Sequence, residues 1–258
     1  MRITAFGLTD KGRRRPKNED DLAVVDLTAG TTFEDASVRD LPVGDPGVLL
    51  AVCDGVGGRR AGEVASALAL SRLAAEMEAV GEECPRRAIF GTAVERVNSA
   101  VWEKAHEDPL LEGMATTLTA AVVCRHRAVI AHVGDSRAYV LRGTAIRQVT
   151  RDQSFVQALV ASGALTEQDA AHSPFRNVIL QAVGRKKKID VALDAIELED
   201  GDGLFFCTDG LSEKVTTEEI ARALQGADLA SGVRSLVALA NERGGEDNIT
   251  VLAARVSE

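Results

Sequence analysis

The sequence predicts an α+β fold: two packed antiparallel β-sheets, a β-sandwich, flanked by helices on both outer faces. Three observations predict it. Between Thr117 and Val149, the apolar segments TLTAAVVC, AVIAHV, AYVL and IRQV are separated only by RHR, GDSR and RGTA. Connections that short join antiparallel strands, because a parallel pair needs a long crossover. The segments VLLAVC and LFFC are apolar at every position, where a strand with one wet face would alternate. Both of their faces therefore need cover, and amphipathic helical stretches are present to supply it.

Strands are expected at residues 3–8, 22–27 and 48–53. Residues 28–47 are rich in Gly, Pro, Thr and Asp and read as a long surface loop, not a domain linker. Leu70, Leu73, Met77 and Val80 recur at helical spacing, so 61–80 reads as a helix. Pro85 suits the first turn of a second helix, whose stripe of Ile89, Ala93, Val97 and Ala100 stops before Pro109. Further strands are expected at 192–198, 203–208 and 249–256. Between the last two, Thr216-x-x-Glu219 is a capping box for a helix through Leu224. Leu229, Val233, Leu236 and Ala240 mark a last helix. Residues 1–258 read as a single domain.

Composition excludes several functions. The chain is 45% hydrophobic with a net charge of −9, which argues against broad neutralisation of nucleic-acid phosphates and against anionic membranes. Only 3% of residues are aromatic, which disfavours base stacking. No apolar run reaches the ~18 residues of a membrane span, and the N-terminal segment has no signal-peptide core. Cys53, Cys124 and Cys207 lie in apolar runs and Cys84 precedes Pro85. With no CxxC and no zinc spacing, they read as buried, reduced thiols of a cytoplasmic protein.

Chemistry concentrates at strand ends. Three apolar strands end in Asp: LLAVC before Asp54-Gly55, IAHVG before Asp135-Ser136, and LFFCT before Asp209-Gly210. Glu19-Asp20 and Glu246-Asp247 precede two more strands. One Asp-Gly alone is an ordinary turn. Several converging carboxylates must share protons or hold a cation. An oxygen-only set suits Mg²⁺, Mn²⁺ or Ca²⁺, and no EF-hand spacing is present. Clustered Asp with water is the layout of two-metal hydrolysis of phosphate-like substrates. The run from Lys11 to Lys17 leads into this acidic segment, and one of its arginines could fork onto two phosphate oxygens. Gly55-Val56-Gly57-Gly58 alone is a weak sign of a phosphate-cradling turn. The run Arg185, Lys186, Lys187, Lys188 reads first as a solvated turn, and second as a docking patch for acidic substrate segments.

Seven segments follow one another in the chain. They are Arg15-x-x-Asn18-Glu19-Asp20, Val52-Cys53-Asp54-Gly55-Val56-Gly57-Gly58, Met114-Ala115-Thr116-Thr117-Leu118, Val133-Gly134-Asp135-Ser136-Arg137-Ala138-Tyr139, Thr150-Arg151-Asp152, Cys207-Thr208-Asp209-Gly210-Leu211 and Gly244-Gly245-Glu246-Asp247-Asn248-Ile249-Thr250. Together they resemble the metal-dependent protein phosphatases of the PPM or type-2C class, in their compact bacterial form. The resemblance runs from about Ala5 to Ala254. It implies a two-metal Mn²⁺ or Mg²⁺ centre at one end of the sandwich. It also implies hydrolysis of phosphoserine and phosphothreonine in proteins by metal-bound hydroxide, with no phosphoenzyme.

Carried over residue by residue, the resemblance makes Asp54 the ligand that bridges both ions, with Gly55 ligating one through its carbonyl. Asp209 and Asp247 hold the second ion, with Asp20 and Glu19 acting directly or through water. Arg15 is the phosphate-binding arginine and, with Asp54, the catalytic pair. Asp135 holds a third, weaker ion; its simpler reading is a turn cap or a partner of Arg137. Residues 162–172 match a mobile flap and 177–184 the helix after it. Val56 stands where animal relatives have a His proposed as general acid, and Gln153 where a His is frequent. The implied partners are phosphoproteins made by a Ser/Thr kinase, with no nucleic acid and no membrane, and the chain is expected to act as a monomer. The alternative is a catalytically weak phosphoprotein-binding module on the same fold, and the complete carboxylate set counts against it.

Overall fold

The computed structural model describes residues 1–33, 37–57, 61–81, 84–226 and 228–258. One antiparallel sheet runs, in spatial order, β10 (Ala145–Gln148), β9 (Arg137–Arg142), β12 (Gly203–Cys207), β13 (Ile249–Ser257), β1 (Arg2–Asp10) and β4 (Arg39–Pro42). The other runs β11 (Ala192–Glu197), β8 (Arg127–Val133), β7 (Leu118–Cys124), β5 (Val48–Val56), β2 (Asp20–Asp26) and β3 (Thr31–Phe33). A two-residue strand, β6 (Ala115–Thr116), pairs with the end of β5. The sheets pack face to face. Helices α1 (Ala61–Glu78) and α2 (Arg87–Glu107) cover the second sheet, and α6 (Thr217–Leu224) and α7 (Leu229–Glu242) cover the first. The sandwich with helices on both outer faces is the predicted architecture.

The continuous apolar runs have the predicted cause. Along β5, Leu49, Ala51 and Cys53 face α1 and α2, while Val48, Leu50 and Val52 face the other sheet. Alternation is invisible because both faces are dry. The capping box at Thr216 forms, with Glu219 reaching back to the Thr216 amide at 2.9 Å. On α2 the buried stripe is Phe90, Val94, Val97 and Val101, and Ile89 points out.

Four expectations change. The 28–47 segment contains two edge strands, β3 and β4, one on each sheet. The short connections of the 117–149 stretch do not all join paired antiparallel strands: β8 and β9 lie in different sheets, so Gly134, Asp135 and Ser136 form the crossing. A short connection requires antiparallel neighbours only when the strands share a sheet. Residues 177–184 are not a helix. Their backbone hydrogen-bonds outward instead, Val183 to Thr116 in both directions and Leu180 N to Gln153 O at 2.8 Å. The 162–172 flap segment contains one short helix, α4 (Glu167–Ala171), and follows directly on another, α3 (Phe155–Ala161).

The fourth change concerns sulfur. Cys84 and Cys124 form a disulfide with Cα atoms 5.7 Å apart, and Cys53 and Cys207 are the buried free thiols. That separation lies in the usual range of about 4.4–6.8 Å. The connection between α1 and α2 brings Cys84 over the end of β7, a placement that no sequence spacing signals. The inference of a reducing compartment from four free thiols loses its support.

The inter-sheet core sets stability. Leu50 is fully enclosed, at 0% exposure. Leu50→Ala is expected to lower the unfolding free energy by about 2–5 kcal/mol, since the rigid layers cannot collapse onto the cavity. Urea denaturation checks this: the midpoint should fall with an unchanged slope.

Candidate active site

Every site residue expected from the sequence comes to one end of the sandwich. Asp54 sits near the end of β5 and pairs in register with Asp20 at the start of β2. Asp209 begins the short helix α5 (Asp209–Ser212), directly after β12. Asp247 precedes β13, and Asp135 lies in the crossing from β8 to β9. A cleft of about 440 Å³ is lined by Arg15, Glu19, Asp54, Gly55, Asp135, Asp209 and Asp247. Asp20 lies beneath it, buried at the Asp54 ladder position.

Hydrogen bonds to neighbouring strand ends fix these backbones. Asp54 N donates to Thr117 Oγ1 at 2.9 Å, and Asp54 O accepts from Thr117 N at 2.9 Å and Thr116 Oγ1 at 3.0 Å. Thr117 Oγ1 also meets Ser136 Oγ at 2.8 Å, which ties the Asp54 strand to the Asp135 turn. Thr208 Oγ1 donates to Asp20 Oδ2 at 2.8 Å and accepts from Thr250 N at 3.0 Å. Asn248 Oδ1 accepts from Glu19 N at 2.8 Å, while its Nδ2 donates to Lys11 O and Lys17 O. Ser66 Oγ on α1 donates to Glu19 O at 2.7 Å. Gly55 is enclosed so closely that a Cβ would collide with the carbonyls of Gly62 and Glu19. Gly58 lies outside the described residues.

The same geometry explains Gln153. Its Oε1 accepts from Gly134 N at 2.9 Å, its Nε2 donates to Asp190 O at 3.2 Å, and its own amide donates to Gly134 O at 2.7 Å. It clamps the turn that carries Asp135. Arg137 forks onto Asp152 at 2.7–3.1 Å, so it is not the partner of Asp135. Thr116, Thr117, Thr208 and Asn248 are polar residues at the ends of apolar runs, which is a readable signal. Ser66 and Gln153 carry none.

Crowding shifts the titrations upward. Burial, then the Asp209 charge, pushes Asp135 up to about 8. Burial pushes Asp20 up to about 7 against the opposing hydrogen bonds from Thr250 and Thr208. Burial, then Asp247, raises Asp209 to about 6. Burial, then Asp20 and Asp209, holds Asp54 well above the carboxylate range. Both Asp54 and Asp209 keep an edge open to the cleft. Arg15 is the cation paired within the carboxylate cluster: its Nη2 lies 2.6 Å from Asp247 Oδ2, and its side chain is half exposed.

These residues fit hard cations. Asp20 Oδ1 and Asp209 Oδ1 are buried and accept no hydrogen bond. A buried acceptor without a partner is costly unless something positive occupies it. The donor set is all oxygen, as Mn²⁺ and Mg²⁺ require. Among the described residues, no three carboxylates of the cleft bring oxygens within 4.8 Å of one another.

Residues 27–250 match the family model described as protein phosphatase 2C. The chain belongs to the protein phosphatase 2C family. It is 40% identical over 210 residues to the serine/threonine protein phosphatase PstP of Mycobacterium tuberculosis, covering 81% of this chain. The chain spans 40% of the length of that relative. It is 34% identical over 248 residues to the serine/threonine phosphatase stp of Listeria innocua, covering 95% of this chain and 92% of the relative. Among solved structures, the catalytic domain of PstP in complex with two manganese ions superposes with a TM-score of 0.82 at 34% identity, covering 100% of both chains. Among the described residues, no helix is long and apolar enough to cross a membrane.

A pH test follows for this family member. With chelator, the folded state keeps protons on Asp20, Asp135 and Asp209 that the unfolded chain has shed. Between about pH 4 and pH 8 the unfolded state binds fewer protons, so stability should fall as pH rises. Ions and protons compete for the same oxygens, so the rise in Tm on adding Mn²⁺ should grow from pH 5 to pH 8. Differential scanning fluorimetry over that range reads both slopes. A Mn²⁺ effect independent of pH would remove these carboxylates from the ion site.

Proposed function

We propose that this chain is a metal-dependent Ser/Thr protein phosphatase, acting as one catalytic domain, as a monomer, on proteins phosphorylated by a Ser/Thr kinase. The observation that carries this is the convergence of carboxylates with partnerless buried oxygens beside an arginine in an open cleft. PstP and stp are named as serine/threonine phosphatases, which supports the same reading.

Asp54, Asp209, Asp247, Asp20 and Glu19, with the Gly55 carbonyl, would hold two Mn²⁺ or Mg²⁺ ions, and Asp135 a third. When bound, the ions supply an activated water at neutral pH and offset the charge of the phosphate. The protein's part is positional. The threonine and asparagine hydrogen bonds hold the carboxylates on stiff strand ends, so the cleft needs little reorganisation on binding. Arg15 stands at the edge of the cleft with Asp247 on one side of its guanidinium. Its remaining N–H groups can fork onto two phosphate oxygens. Val56 lines the cleft and has no proton to give, so the leaving alkoxide is not protonated from that position. No Cys or Ser nucleophile is needed: Cys53 is fully buried, and burial raises its thiol well above the usual range.

Phosphate release from phosphothreonine and phosphoserine peptides, with Mn²⁺ and with chelator, tests the reading; full turnover under chelation would refute it. Asp54→Asn or Asp209→Asn removes negative charge that holds the ions. Turnover should then fall at least ~10²-fold while the fold survives, because repulsion in the cluster drops. Arg15→Ala should raise KM and lower kcat, and Arg15→Lys should recover only part of the loss, because a point charge does not make the bidentate contact. Steady-state kinetics on one phosphopeptide, with circular dichroism of each variant, reads both.

A further inference from the structure

Arg185, Lys186, Lys187 and Lys188 form an exposed turn at the rim of the catalytic cleft. Three features distinguish it from an ordinary solvated turn. It is fastened to the site: Val183 pairs with Thr116 through hydrogen bonds of 2.8 and 3.0 Å, and Thr116 pairs in register with Gly55. Its backbone is held from below by the buried Asn98. The Asn98 Oδ1 accepts from Gly184 N at 2.8 Å, and its Nδ2 donates to Lys186 O at 3.0 Å and Lys187 O at 3.2 Å. Gly184 takes a positive φ of 87°, and a Cβ there would collide with Val101 on α2.

The charges on the turn are free to act. Among the described residues, none of the four cations pairs with a carboxylate, in a chain of net charge −9 with numerous surface ion pairs. Lys187 lies over the Trp102 ring at 5.7 Å, which holds one ammonium against the helix. The patch also sits on a path. A second cavity, about 620 Å³, shares Val56, Gly57 and Arg185 with the catalytic cleft and continues to His106, Pro109 and Glu112. Arg185 therefore stands at the junction of the two cavities.

We propose that this turn is a substrate-docking site that selects phosphorylated segments carrying Asp and Glu on one flank of the phosphoresidue. The proposal rests on the phosphatase reading of the cleft. The carboxylates of the flank lie over Lys186 and Lys188 while the phosphate enters toward Arg15. Only one flank gains, because the patch lies on one side of the cleft. Exposed pairs are individually weak, and a rigid cluster of them adds up to about a 10-fold preference at low salt.

The test uses the whole chain with Mn²⁺ and three phosphothreonine peptides. One has neutral flanks, one has three Glu before the phosphoresidue and one has three Glu after it. Phosphate release gives KM and kcat, and fluorescence anisotropy of labelled peptides gives binding. One acidic peptide, and not the other, should show about 10-fold lower KM and tighter binding than the neutral one. The gain should vanish at high salt. Lys186→Glu with Lys188→Glu should abolish it while leaving kcat and the neutral peptide's KM unchanged. Turnover of p-nitrophenyl phosphate reports that the variant is folded. Equal KM for all three peptides, equal gains from both flanks, or a variant that shifts neutral and acidic peptides alike would overturn the proposal. If no peptide is hydrolysed, the phosphatase reading fails. Anisotropy then decides the patch: a one-sided preference lost in the variant supports it, and no preference overturns it.

Discussion

Like charges forced together at the edge of an apolar sandwich are the constraint on which the rest of this structure depends. Burying one carboxylate without a partner is already unfavourable, and adjacent carboxylates raise each other's pKa. Here Asp20 and Asp54 face each other on neighbouring strands, with Asp209, Asp247 and Asp135 close by. Nothing in the two-sheet core compensates for them, since its interior is aliphatic and aromatic. The cluster persists because each carboxylate is attached to a strand whose burial on both faces is strongly favourable. Stability taken from the core holds an arrangement that would otherwise fly apart.

The polar residues around the cluster serve that end. Thr116, Thr117 and Ser136 join two strands of one sheet to the crossing that leads into the other. Thr208 and Asn248 join the two sheets at the same end. These side chains touch the carboxylates' backbones more than their oxygens, which leaves the oxygens available to ligands. Two of those oxygens, on Asp20 and Asp209, have no protein partner. Cations bound at those oxygens would offset the otherwise unfavourable electrostatics.

Around this rigid floor the rim is built differently. The helices α3 and α4 are short; Phe155 at the start of α3 and Phe175, just after α4, are exposed and meet edge to face at 6.0 Å. The basic turn after Gly184 is pinned by Asn98. A pinned, charged turn and a small helical segment thus border the site with different chemistry. Orientation of an extended peptide can be read from such an asymmetry.

By itself the sequence determined the layers and the chemistry. Apolar runs such as VLLAVC required two dry faces, and helical stripes of matching number were there to provide one of them. Repeated Asp at strand ends meant shared protons or a bound cation, and with no His or Cys beside them any such cation would be a hard one. Both conclusions follow from local composition and period, which short segments carry in full. What tertiary structure decided was everything that depends on which segments become neighbours. The crossing of β8 to β9 between sheets, the extended course of 177–184 and the Cys84–Cys124 disulfide join residues whose separation in sequence says nothing of their distance in space. Gln153 looked like a lost histidine until Gly134 was found beside it. The basic run at 185–188 is an exposed turn, as its composition indicates, and only the fold shows that Val183 ties it to the strand beside Gly55. Hydrogen bonds between remote strand ends leave no period in the chain, so only the folded arrangement reveals them.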